Sequence, residues 1–232
     1  MSFRLSIFIL ALCCFGQFHA TIFPLTGNDW IIQVNESLSV QGQVPGTIHT
    51  ILLAAKLIPE PYLGYNDVNL RYLIYRSWTF TKNFSLTNNF LSLGQFTLNF
   101  DQVDTVANIT LNDCFLGQTN NMFLAYAFNV NRTCLQLSNQ LRLDFESPVT
   151  YAANQAKVYN DSVLPECPSP VQHGECHVQF IRKEPCSFSW DWVRLKGHKY
   201  LSKNVAFYRV QHLVPLVSLA MCISKVYVIL TS

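Results

Sequence analysis

The sequence predicts an all-β fold, a single-domain β-sandwich or jelly roll, and three observations point there. From Trp78 onward apolar and polar residues alternate with a period of two, and turn residues recur at roughly ten-residue spacing. Long uninterrupted helical patterns are missing, which excludes a helical bundle. Alternation of this kind means one buried face and one wet face per sheet.

The elements follow in chain order. Arg4 precedes LSIFILALCCF, an apolar run that Gly16 and Gln17 end. A charged start and a short apolar core are the marks of a secretory signal, and the run is too brief to anchor in a bilayer. Residues 1–20 are therefore expected to be a signal peptide, with the mature start between Gln17 and Thr21. NDWIIQVNESLSVQGQVPG reads as two short strands ending in a turn at Pro45-Gly46. Residues 47–56 follow as one short helix, which Pro59 and Pro61 stop. PEPYLGYNDVNLRY is a turn-rich loop laid on the surface.

Trp78, Phe80, Lys82 and Phe84 then alternate with Thr79, Thr81, Asn83 and Ser85. Leu91, Leu93, Phe96, Leu98 and Phe100 form the next strand region, DTVANITLN another. In QLRLDFES, Leu141, Leu143 and Phe145 face one way while Arg142, Asp144 and Glu146 face the other. Residues 152–176 are polar and broken by proline, and read as a long surface excursion; HVQFIRK alternates again.

Composition narrows the partners. Lys and Arg total 16 against 14 Asp and Glu, a formal charge of +2, with no basic stripe, so nucleic acid is not an expected partner. Behind a signal sequence, the sequons at Asn35, Asn83, Asn108, Asn131 and Asn160 are expected glycosylation sites on surface strands or turns. Beyond the signal, the cysteines are Cys114, Cys134, Cys167, Cys176, Cys186 and Cys222, and an oxidising lumen permits disulfides among them. Six cysteines leave many pairings open, but the short loop ECPSPVQHGEC makes Cys167 with Cys176 the pair of lowest closure entropy. His173 and His177 beside Cys176 resemble metal ligands only if that disulfide is ignored; no metal and no cofactor is expected.

Glycoside hydrolysis needs two carboxyl groups held about 5–5.5 Å apart for retention or about 6.5–9.5 Å for inversion. Asp101 and Asp104 read as solvated groups at a turn between strands, and Asp144 with Glu146 as the wet face of one strand, so no catalytic residue is expected here. No G-x-S-x-G elbow, H-E-x-x-H helix or phosphate-binding glycine loop occurs. One constellation stands out, Trp190-Asp191-Trp192, a carboxylate between two indoles. Indole faces pack on the C–H side of a pyranose while a carboxylate accepts hydrogen bonds from its hydroxyls. The plainer reading is a buried tryptophan pair with an aspartate capping a turn, or an Asp191 paired with Arg182 or Lys183.

VPGTIHTILLAAKLIPEPYLGYNDVNLRY, SWTF, QVDTVANITLNDCFLGQTNNMF, YAANQAKV and ECPSPVQHGECHVQFIRKEPCSFSWDW together resemble the N-terminal domain of the lysosomal β-mannosidases, in the glycoside hydrolase group of β-galactosidase and β-glucuronidase. The resemblance covers residues 21–192. It implies a jelly-roll, galactose-binding-like domain at the front of an enzyme that removes terminal non-reducing β-D-mannose from glycoprotein-derived oligosaccharides with retention. It further implies that Asp191 reaches the sugar in the −1 subsite, that Trp190 and Trp192 shape the wall, and that Cys167 and Cys176 form a disulfide. The two catalytic glutamates of the family lie on a downstream barrel, so no residue of this chain inherits their role.

Where the family continues from WDW with Gly-Pro, this chain has Val193-Arg194-Leu195. Residues 193–232, partly basic and then nearly all apolar, are expected to be a divergent tail, poorly packed, with the sandwich short of its closing strands. Membrane association of the tail and native sandwich strands are the alternatives. The expected product is an inactive, monomeric module of the secretory pathway that binds β-mannosyl oligosaccharide weakly at most; the full-length family enzyme belongs to the lysosome. A secreted lectin-like module, or a truncated product without function, are the competing readings.

Overall fold

The computed structural model describes residues 20–61, 63–92, 94–159, 163–168, 175–183, 222–223 and 226–231. Residues 1–19 of the expected signal region, Asn160, His173, Cys186 and the Trp190-Asp191-Trp192 block lie outside the described residues.

Strands β1 (Ala20–Pro24), β2 (Gly27–Gln33) and β3 (Ser39–Val44) open the fold, and β4 (Gly46–Thr47) leads into helix α1 (Ile48–Ala54). Thr47 caps α1 in a reciprocal box with Thr50, each side chain accepting from the other's backbone N–H. Gly46 is required at this turn, because a Cβ there would sit 2.2 Å from the Gln43 carbonyl oxygen. Helix α2 (Asn66–Asn69) and a 3₁₀ turn over Arg71–Tyr75 carry the chain to β5 (Trp78–Ser85).

After β5 come helix α3 (Asn88–Leu91), β6 (Gln95–Phe100), β7 (Val103–Asp104), β8 (Ala107–Leu111), β9 (Cys114–Thr119), β10 (Tyr126–Val130) and β11 (Ser138–Phe145). The chain then forms helix α4 (Pro148–Val158), a 3₁₀ turn at Val178–Phe180, β12 (Cys222–Ile223) and β13 (Val226–Thr231).

Two sheets face each other, one with strand order β3-β2-β5-β11-β8-β9, the other β1-β13-β6-β10. A small third sheet, β4-β12-β7, lies beside them. Period-two alternation sends Trp30, Trp78, Phe80, Phe100 and Phe145 between the layers, all essentially inaccessible to water. The two indole N–H groups are satisfied within the core, donating to the carbonyls of Leu25 at 2.9 Å and Leu73 at 3.0 Å. Lys82 occupies a core-facing position of β5, and its ammonium reaches Asp29, holding that carboxyl below its ordinary range.

Four expectations are corrected. Leu91 belongs to α3, capped by Thr87, and its strand starts only at Gln95. The surface excursion begins as helix α4: Ser147 caps it, Pro148 sits in its first turn, and Ala152 and Ala156 bury its inner side. HVQFIRK contains a 3₁₀ turn, since His177 takes a left-handed conformation at φ 63° that ends any strand before Val178.

The fourth correction concerns the tail. Residues 222–223 and 226–231 are strands of the sandwich, with β13 inserted between β1 and β6 and antiparallel to both. Val226 and Val228 are buried in the core, and Ile223 is buried beside β7. The apolar end of the chain thus supplies a closing strand, because a two-sided apolar run finds its stable place between two strands with free backbone groups.

Candidate functional site

The strongest cluster of buried polar groups sits at the edge of the sandwich, where the small sheet meets the stretch 175–183. Residues 46–47, 222–223 and 103–104 pair side by side, so β12 ties β4 to β7. Asp104, at the end of β7, is buried, and so is Lys183, whose ammonium pairs with it. Reading Asp104 as a solvated turn residue is therefore corrected: its partner comes from 79 positions downstream, too far for a sequence pattern to reveal. Thr105 donates its hydroxyl to the other Asp104 oxygen, and the Thr119 hydroxyl bonds the Thr105 carbonyl at 2.9 Å.

His49, in the first turn of α1, is buried close to this pair. Burial first, and the positive Lys183 second, push its imidazole down from 6.5 to about 4, so it is neutral at neutral pH. Its Nδ1 has no hydrogen-bond partner among the described residues.

Residues 175–183 are fastened at several further points. Arg71 and Tyr75 hold the Glu175 carboxylate, the tyrosine hydroxyl donating at 2.9 and 3.1 Å. Burial, and then the Glu175 carboxylate itself, raise the Tyr75 phenol above its ordinary value. Ile181 enters a small core with Ile74, Val106 and Ala152. Arg182 bridges Asn121 in parallel, and its carbonyl accepts from the Met122 N–H at 3.0 Å. Cys167 and Cys176 are joined by a disulfide at the head of the stretch, with Cα atoms 4.9 Å apart. Lys183 stands seven positions before Trp190 in the sequence. Lys183 is thus paired with Asp104, where the sequence offered Asp191 as its partner.

A second disulfide, Cys114–Cys134, ties the start of β9 to the turn before β11. Sequence alone does not choose among pairings, because the Cα separation of 5.8 Å that permits this one is created by the fold. Cys167, Cys176 and His177 place their ligand atoms within 4.8 Å of one another, but both sulfurs are spent in the disulfide, and the thiolate is the form that binds metal.

The remaining acids are engaged separately. Asp144 takes hydrogen bonds from Thr79 at 2.7 Å and Arg142 at 2.9 Å on the outer face of the larger sheet. Glu146 is pushed up by burial, and Asp101 accepts from the Tyr227 hydroxyl at 3.2 Å. Among the described residues no helix is long and apolar enough to cross a membrane.

The two facing sheets make this an all-β sandwich of the galactose-binding-like, jelly-roll kind. The chain belongs to the glycosyl hydrolase 2 galactose-binding domain-like family, whose sequence profile matches residues 30–202. It is 40% identical to the β-mannosidase of Rattus norvegicus over 211 residues, covering 89% of this chain and 24% of that protein. It is 39% identical to the Mus musculus β-mannosidase over 194 residues, covering 82% and 22%. The crystal structure of a β-D-mannosidase from Dictyoglomus thermophilum superposes with a TM-score of 0.70 at 27% identity, covering 90% of this chain and 22% of that one. The chain thus spans about a quarter of the length of the curated relatives it matches.

Proposed function

We propose that these residues are the sugar-binding module of a β-mannosidase and that the module helps hold a terminal β-mannosyl unit without hydrolysing it. The observation that carries this reading is the similarity to β-mannosidases along most of the chain, at 40% identity to the rat protein. Asp191, with Trp190 and Trp192 beside it, is the proposed sugar contact, the carboxylate bonding ring hydroxyls and the indoles packing on the C–H face. Residues 175–183, which precede the block in the chain, are held at Glu175, Ile181, Arg182 and Lys183.

Hydrolysis is assigned elsewhere in such an enzyme. Asp144 and Asp104 are each engaged by a partner within the fold, Thr79 for the first and Lys183 for the second. The proposed compartment is the secretory lumen, with the lysosome as the destination of a longer family enzyme.

The test is titration of the purified chain with a β-mannosyl disaccharide, followed by ligand-observed NMR. Weak saturable binding is expected, falling about tenfold or more in Asp191→Ala, the loss of one charge-assisted hydrogen bond. Binding untouched by Asp191→Ala removes the site assignment. Release of mannose from an aryl β-mannoside by the pure chain, abolished by replacing one of its carboxylates, overturns the division of labour.

A further inference from the structure

We infer that the outer face of the six-stranded sheet is an N-glycosylated face, with glycans on Asn83 of β5 and Asn108 of β8, and that it is closed to docking by another domain or a second copy of the chain. Both asparagines point outward and are exposed, while their strand neighbours Phe84 and Ile109 point into the core. The hydroxyl residue that completes each sequon, Ser85 and Thr110, lies on the same outer face two positions on.

The two strands flank β11, with Asn83 opposite Gln140 and Asn108 opposite Asp144. Four residues of rise along β11 and two strand spacings across it separate the asparagines by roughly 16 Å, room for two separate glycans. Each amide also keeps its hydrogen bond when modified. Gln140 donates to the Asn83 carbonyl at 3.2 Å and Gln118 donates to the Asn108 carbonyl at 3.1 Å. The amide nitrogen, which would carry the sugar, is not the atom either bond uses. The strip between the two asparagines is hydroxyl and charged, with Thr79, Thr81, Arg142 and Asp144, and the exposed apolar side chains Ile31, beside Thr81, and Phe115, beside Thr110, stand singly on either side of it.

Timing follows from the fold. An asparagine locked in a paired strand cannot bend into an enzyme's acceptor site, so transfer has to precede pairing. Both β5 and β8 pair with β11, which follows them in the chain, so each strand enters the lumen before its central partner arrives. Asn35 and Asn131 differ, because they stand in turns where the hydroxyls of Ser37 and Thr133 donate to the asparagine's own carbonyl. Those two serve as an internal control for arrival in the lumen.

The experiment is expression of the full chain in a eukaryotic secretory cell, peptide:N-glycosidase treatment in H₂¹⁸O, and peptide mass spectrometry. Labelled aspartate is expected at positions 83 and 108. Ser85→Ala and Thr110→Ala, which spare both asparagines, are each expected to remove one glycan from the mobility of the intact chain. Label at Asn35 or Asn131 with either Asn83 or Asn108 unlabelled overturns the inference. Absence of label at all four sites overturns it too, and traces the failure to the expected lumenal location rather than to the sheet face.

Discussion

Exchanging His49 for glutamine tests the buried polar edge through pH. The folded imidazole titrates at about 4 where the free side chain titrates at 6.5, mainly because burial disfavours its charged form. A depressed histidine favours the neutral form in the fold, so the unfolded chain binds more protons between those values and stability falls as pH falls. The contribution is fully present above 6.5 and is lost progressively down through about 4. The full difference amounts to about 3 kcal/mol at 1.36 kcal/mol per unit, of which about 2 kcal/mol has gone by about pH 5. Lys183 is the charged neighbour that acts on the ring, adding to the effect of burial. Urea unfolding of the chain and of His49→Gln at about pH 7.5 and about pH 5 supplies the comparison. The variant is expected to lose about 2 kcal/mol less than the parent over that interval, whatever its absolute stability. Equal pH dependence in the two proteins refutes the reasoning, since it means the ring is solvated or charged in the fold.

The ion pair gives a second test: Lys183→Met removes the buried ammonium that pairs with the Asp104 carboxylate and is expected to cost about 3–5 kcal/mol, while Lys183→Met with Asp104→Leu recovers a large part of it. Denaturant midpoints of the single and double variants check this, and a single variant as stable as the parent removes the clamp. Val228→Asp places an uncompensated carboxylate between β1 and β6 and is expected to abolish the cooperative unfolding transition and the near-ultraviolet dichroism of the buried tryptophans. An unchanged transition would mean that the sandwich holds together without β13.

The sheets themselves were legible in the sequence wherever period two was clean. Trp78 through Ser85 and Leu141 through Phe145 put alternate residues on opposite faces, and nothing beyond strand geometry is needed to read them. Helix α4 was hidden because residues 152–176 were read together, with their downstream prolines, as one polar excursion; Ser147 immediately before Pro148, a proline that opens a first turn, was the available signal. The site was less legible. The sequence singled out Asp191 and its tryptophans by chemistry, and the Cys167–Cys176 pair by its short loop, but not the contacts that hold residues 175–183.

What the sequence determined by itself is the alternation, the caps, the sequons and the aromatic block, because each is written in neighbouring residues and needs only local geometry. Tertiary structure alone decided that Lys183 meets Asp104, that Cys114 meets Cys134, and that the last strand slides between β1 and β6. The physical reason is one of range. Burial of charge and completion of a sheet are settled by residues tens to two hundred positions apart, and their mutual fit exists only once the two layers have closed.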